Sequence, residues 1–177
     1  MRADQVMHGM HSLRDRTLNN RLRAATVVFA AYTVVMMRLD DRMRAAGGPG
    51  IIAFELAGTA TGAEEIMARW GESGQRAARL SMRLDFGYMS SYGMLLALLV
   101  ERRRRRSGHP SWLPATAAGA VVFDAVEGVA LLRVLDRRLV AVNAGRARVA
   151  ALVKFAIIAL TLGYSLYPAR PGVTACS

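Results

Sequence analysis

The chain has 177 residues, 53% hydrophobic and 21% charged, with 24 lysines and arginines against 13 acids for a net charge of +11. That length fits one domain, and the single cysteine, Cys176, excludes an internal disulfide and any cysteine-based zinc cluster. Cys176 lies two residues beyond position 174, where a C-terminal prenylation box would need it.

Arginine-rich stretches alternate with apolar runs, the pattern of a membrane protein whose charges lie in loops. A strongly basic chain has nucleic acid and anionic membrane as candidate partners. The arginines flank apolar runs and no nucleic-acid-binding motif is present, so the lipid bilayer is the expected partner and nucleic acid is not.

Met1 to Arg23 is polar and basic and is expected to be a tail, with Leu13, Leu18 and Leu22 spaced for a short helix on a membrane surface. Met7, His8, Met10 and His11 offer thioether and imidazole donors of the kind that hold Cu(I), without residues to enclose them. No metal site is therefore assigned there. Ala24 to Met37 is the first apolar run. At 1.5 Å per residue it covers roughly 21 Å of a core about 30 Å thick, and Leu22, Leu39 and the snorkelling Arg23 and Arg38 extend it. No small-x-small cleavage site precedes Arg38, so an uncleaved helix is expected rather than a signal peptide.

Gly47-Gly48-Pro49-Gly50 is the strongest break in the chain. After it, Ile51 to Ala60 is apolar but too short to span, and it carries Glu55. It reads as a re-entrant or interfacial segment covering a helix bundle. Thr61-x-x-Glu64 reads as a capping box opening a helix that ends near Gly71, with Trp70 as an interface anchor.

A second helix is expected from Ser73 through the apolar run Leu80 to Val100. Asp85, Tyr88 and Tyr92 recur at i, i+3 and i+7, which draws a polar stripe along it. An aromatic belt at the headgroup level would explain Asp85 and Tyr88, but Tyr92 falls at mid-membrane depth, where a phenol needs a partner. Arg102 to Arg106 then form a loop that is hard to translocate, which puts it in the cytoplasm and, with four helices, both termini inside the plasma (inner) membrane. The total arginine count is nearly even, 11 inside and 12 outside in this orientation.

The third span, Trp112 to Arg133, contains AGAVVFDAVEGVALLRVL, an apolar stretch interrupted by Asp124 and Glu127. Carboxylates at that depth should face the bundle interior or a wet cavity. Gly119, Gly128 and the alanines permit close helix packing and leave room for a homo-oligomer. A basic connection, Asp136 to Arg148, leads to the last span, Val149 to Tyr167. Lys154, the only lysine, sits there at the depth of Asp85 and Glu127, with two readings: snorkelling outward, or pairing with Glu127.

The expected architecture is thus all-α: a polytopic four-transmembrane-helix bundle, residues 24–168, with spans near 24–39, 80–100, 112–133 and 149–167 and short tails at 1–23 and 169–177. LDFGYMSSYG, DAVEG and FELAGTATGAEEIMARWG resemble a family of uncharacterised bacterial four-helix membrane proteins, over roughly residues 50 to 155. The family pattern has Asn where this chain has Gly128. The resemblance implies the membrane architecture and no particular activity or cofactor.

There is no phosphate loop, His-Glu-x-x-His, Gly-x-Ser-x-Gly or CxxC. Asp85, Tyr88, Tyr92, Asp124, Glu127, Lys154 and Glu55 are the candidate ligand-binding residues, and no catalytic residue is assigned. The expected function is binding or transport of a small cationic or lipid-like ligand at an intramembrane carboxylate site opening to the outer leaflet. One alternative is a lipid- or isoprenoid-modifying enzyme using Asp124 or Glu127 as acid or base, or three carboxylates holding Mg²⁺. The other is an accessory subunit in which an ion-pair cluster fixes helix packing.

Overall fold

The computed structural model describes the backbone of residues 2–167 and the side chains of residues 15–167; Met7, His8, Met10, His11 and Cys176 lie outside the described side chains. The described chain is all-helical. Its elements are α1 (Arg2–Ala45), the short α2 (Ile51–Glu55), α3 (Ala60–Ser107), a 3-10 turn at Leu113–Ala115, α4 (Thr116–Leu135) and α5 (Val140–Leu166).

Two stretches are long and apolar enough to cross a membrane, Asp15–Ala45 and Val140–Leu166. Those are the first and last of the four expected spans. The two middle helices miss the same standard for reasons visible in their sequences. In α4, Arg133 joins Asp124 and Glu127, and in α3 the polar stripe of Asp85, Tyr88 and Tyr92 is reinforced by Ser90 and Ser91.

Several expected boundaries move. The basic stretch before Ala24 is the first half of α1, not a separate tail, and Leu18 and Leu22 are buried on it. The helix after α2 is capped by Thr59 and not by Thr61: Gly58, at φ +70, turns the chain so that Thr59 is extended and its Oγ1 accepts the Gly62 N–H at 3.1 Å. Arg102 to Arg106 are the last turns of α3, where cations suit the helix dipole, and Gly108 ends the helix in the left-handed conformation. Most of the expected basic connection after Asp136 is already helix. Asn143, whose Nδ2 donates to the Arg138 carbonyl at 2.8 Å, ties down the start of α5.

α3 does break at Gly71, whose φ of 56° and ψ of −162° are outside the helical region. Trp70, just before it, is not an interface anchor. It is 1% exposed, tilted against Phe54 at 4.9 Å, and its Nε1–H donates to the Pro49 carbonyl at 2.7 Å. Indole burial with its one donor satisfied makes this the centre of a core shared with Met43, Met67, Met82, Leu131 and Leu135. A second core, around Met89, Tyr92, Leu96 and Ala120, fills the other half.

α3 is the central helix. α1 packs along one side of it, while α4 and α5 pair closely and pack on its other side. The α4–α5 contact uses Ala144, Ala147 and Ala151, three or four residues apart and therefore on one face. α3 comes close to α4 at Gly93, where an added Cβ would collide with Val121. α1 and α5, by contrast, barely touch, and a cleft lies between them over α3.

Candidate ligand-binding site

The site assembles on Lys154. Residues three apart on a helix share a face, so Asp124 and Glu127 both project from α4 toward α5. Lys154 meets them from α5, with Nζ donating to Asp124 Oδ1 at 2.9 Å. It also lies 2.8 Å from Glu127 Oε2, an ion contact off the axis that a hydrogen bond needs. The lysine is 6% exposed, Asp124 3% and Glu127 2%, so the ammonium points inward and does not snorkel.

Tyr92 on α3 completes the network: its hydroxyl donates to Asp124 Oδ2 at 2.7 Å. Each oxygen of Asp124 thus has its own donor, from α3 on one side and α5 on the other. That is the partner a phenol at this depth requires. Glu55 enters from α2, with Oε2 3.7 Å from Lys154 Nζ. α2 therefore packs against α3 and α5, held through its terminal carboxylate.

Asp85 and Tyr88 stand apart from this network. Asp85 lines the cleft half-buried, and among the described residues it makes no hydrogen bond or ion pair. Tyr88 stacks on Phe29 of α1 with centroids 5.5 Å apart and meets Tyr92 edge-on at 5.8 Å. Three carboxyl groups, from Glu55, Asp124 and Glu127, surround one ammonium, and Asp85 faces the same cleft without pairing with it. The acids thus outnumber the one lysine at this end of the cleft.

Mg²⁺ does not suit the arrangement. The ammonium occupies the point on which Asp124 and Glu127 converge, and no three His, Cys, Asp or Glu side chains are grouped to hold a metal ion among the described residues.

The cleft holds about 540 Å³. Asp40, Asp41, Ile51, Ile52 and Glu55 lie at one end, and Leu95, Leu99 and Leu162 toward the other. Asp85 to Leu99 is 14 residues of helix, so the apolar channel runs about 21 Å along α3. Three contributors were not read from the sequence. Asp40 accepts the Ile51 N–H at 2.6 Å and the Arg44 Nε–H at 2.7 Å, which anchors α2 to the end of α1. Thr33 brings its hydroxyl to 3.5 Å from that of Tyr88, and Phe155 lies with its ring centroid 4.8 Å from Lys154 Nζ. Asp40 lies next to Asp41 at the edge of an apolar run, where an acid looks like ordinary solvated charge.

No family profile, characterised protein or solved structure matches the chain.

Proposed function

We propose that the chain is a four-helix membrane protein that binds or carries a cationic amphiphile, its positive head at Asp85 and its apolar chain along Leu95, Leu96, Leu99 and Leu162. The observation that carries this reading is the cleft itself, an apolar channel with carboxylates concentrated at one end. Five of the 13 acids in a chain of net charge +11 line it against one lysine, an excess of negative charge that favours a cation over an anion. Apolar walls with a few placed polar groups are the usual composition of a small-molecule site.

In this reading α3 and α4 cross the bilayer with their acids turned inward, α2 lies at the outer leaflet, and the Arg102–Arg106 end and both termini face the cytoplasm across the plasma membrane. The test is binding of a long-chain alkylammonium, and of the alkyl sulfate of equal chain length, to the full chain in nanodiscs. The ammonium compound binds and the sulfate does not, and Asp85→Asn weakens the ammonium by about tenfold, the size of one desolvated charge contact. Equal binding of the sulfate, or an Asp85→Asn protein that folds and binds unchanged, rejects the reading.

A second reading, that the cluster only fixes helix packing, is favoured by Lys154, whose ammonium is already taken by two buried carboxylates. The two readings separate at Asp85. A packing role has no use for an acid that faces the cleft and makes no hydrogen bond or ion pair among the described residues.

A further inference from the structure

The far end of the molecule carries a second cavity, of about 580 Å³, where the first described turns of α1 meet the end of α3. Arg102, Arg104, Arg105, Arg106 and His109 line it, against a single acid among the described residues, Asp15. Two of these arginines are held in place. Glu101 takes Arg104 through Nε at 2.5 Å and Nη2 at 2.7 Å, and Arg105 through Nε at 2.5 Å. His109 is fixed as well, its Nδ1 2.7 Å from the Tyr164 hydroxyl at the end of α5. Arg102 and Arg106 have no hydrogen bond or ion pair among the described residues, although they border the same cavity.

A run of arginines at a helix end ordinarily needs no more explanation than topology and the helix dipole. Those effects ask only that the charges reach water. Here they converge on a concave space closed by a different helix, with two guanidinium groups oriented by a carboxylate and two left unmatched. Guanidinium presents a fork of N–H donors that fits phosphate oxygens, and several around one cavity fit an anion with more than one such oxygen.

We propose that this cavity is a binding site for a phosphate-bearing anion, with Arg102 and Arg106 as its direct ligands and Glu101 as the residue that positions Arg104 and Arg105 beside them. The phosphate can belong to an anionic phospholipid headgroup or be free in solution. The site lies at the end of the two apolar helices, at Leu18 of α1 and Tyr164 of α5, the level at which a headgroup would stand. It shares no residue with the α1–α5 cleft, so it stands or falls independently of the cationic ligand proposed there.

The experiment is native mass spectrometry of the full chain in detergent, titrated with phosphatidylglycerol and with phosphatidylcholine, and with inorganic phosphate as competitor. The variants are Arg102→Gln/Arg106→Gln and, as a control of equal charge change, Arg137→Gln/Arg138→Gln on the exposed α4–α5 turn. Phosphatidylglycerol is retained over phosphatidylcholine, and the Arg102/Arg106 variant loses about tenfold or more in affinity while the control does not. Competition by millimolar inorganic phosphate identifies the source as free phosphate, and its absence identifies the headgroup. Equal losses in both variants would mean diffuse attraction by net charge and would overturn the site. So would an unchanged affinity in the Arg102/Arg106 variant. Matched melting temperatures of the two variants separate loss of the site from loss of the fold.

Discussion

Asp124 and Lys154 face each other across the α4–α5 interface with 2.9 Å between Oδ1 and Nζ, and the second oxygen of the same carboxylate is held by Tyr92 from α3. One side chain thereby joins three helices.

Removing the lysine leaves Asp124, Glu127 and Glu55 with no counter-charge in a buried site. Lys154→Met should lower unfolding stability by about 3–5 kcal/mol, the cost of breaking a buried pair from one side. Adding Asp124→Leu should recover at least half of that loss. Thermal unfolding in a single detergent measures both, and a Lys154→Met protein as stable as wild type would show that the cluster does not hold the helices.

Tyr92→Phe keeps the ring and its edge contact with Tyr88 but removes the donor to Asp124 Oδ2. A hydrogen bond to a charged group contributes about 1.5–3 kcal/mol, and a loss of unfolding stability of that order is expected. In the Asp124→Asn background the same substitution should cost clearly less, because the two side chains act through one bond. A double-mutant cycle reads the coupling.

Gly48 lies where an added Cβ would collide with the Trp70 indole, which cannot give way because Phe54 and the Pro49 carbonyl hold it. Gly48→Ala is therefore expected to destabilise by about 1–3 kcal/mol, the cost of overpacking. Tryptophan fluorescence should shift to the red as Trp70 gains water. Gly108→Ala, in open space but at φ +67, tests backbone strain alone and should leave the emission where it is.

Leu99 lines the far end of the cleft. Leu99→Trp should leave short-chain alkylammonium binding unchanged and weaken long-chain binding by about tenfold, roughly what losing two buried methylenes costs. A uniform loss at all chain lengths would place the chain of the ligand elsewhere.

Glu101 gives a pH signature at the arginine end. Burial pushes its carboxyl upward, but the hydrogen bonds from Arg105 and Arg104 outweigh that and bring it below its ordinary value of 4.5. A lowered folded-state value means that its contribution to stability is complete above pH 4.5 and is lost as the pH falls below it. The difference in melting temperature between wild type and Glu101→Gln should therefore shrink on acidification through that window. A constant difference down to about pH 3 would contradict the assignment of the shift to this carboxyl.

The charge cluster was largely legible because helical spacing is a local property. Asp124 and Glu127 share a face of α4 by their separation alone, and depth along the helices put Lys154 level with Glu127, while its hydrogen bond to Asp124, expected a turn deeper, was not read. Tyr92 was legible for a related reason, since a phenol in an apolar run must find an acceptor. What was not legible depends on long-range turns. Nothing near Glu55 shows that it reaches Lys154, because that contact follows from the path of the chain through Gly47 to Gly50 and from Asp40 anchoring Ile51. Trp70 looked like an interfacial residue because aromatic residues beside charges usually are. Its burial comes from Gly48 and Pro49, more than 20 residues earlier. The arginine run looked like a loop, although five consecutive good helix formers had no reason to stop before Gly108.

The contacts of α1 have one more consequence. It is bound to α3 by Phe29 and Thr33 against Tyr88 and to α2 by Asp40, and no hydrogen bond or ion pair among the described residues links it to α4 or α5. The two walls of the cleft are instead joined through α2, which holds α1 by the Ile51 N–H on Asp40 and α5 by the ion pair of Glu55 with Lys154. Drawing α1 away from α5 at that end would therefore part either a hydrogen bond or a buried ion pair, so the five-residue helix acts as the clasp of the cleft.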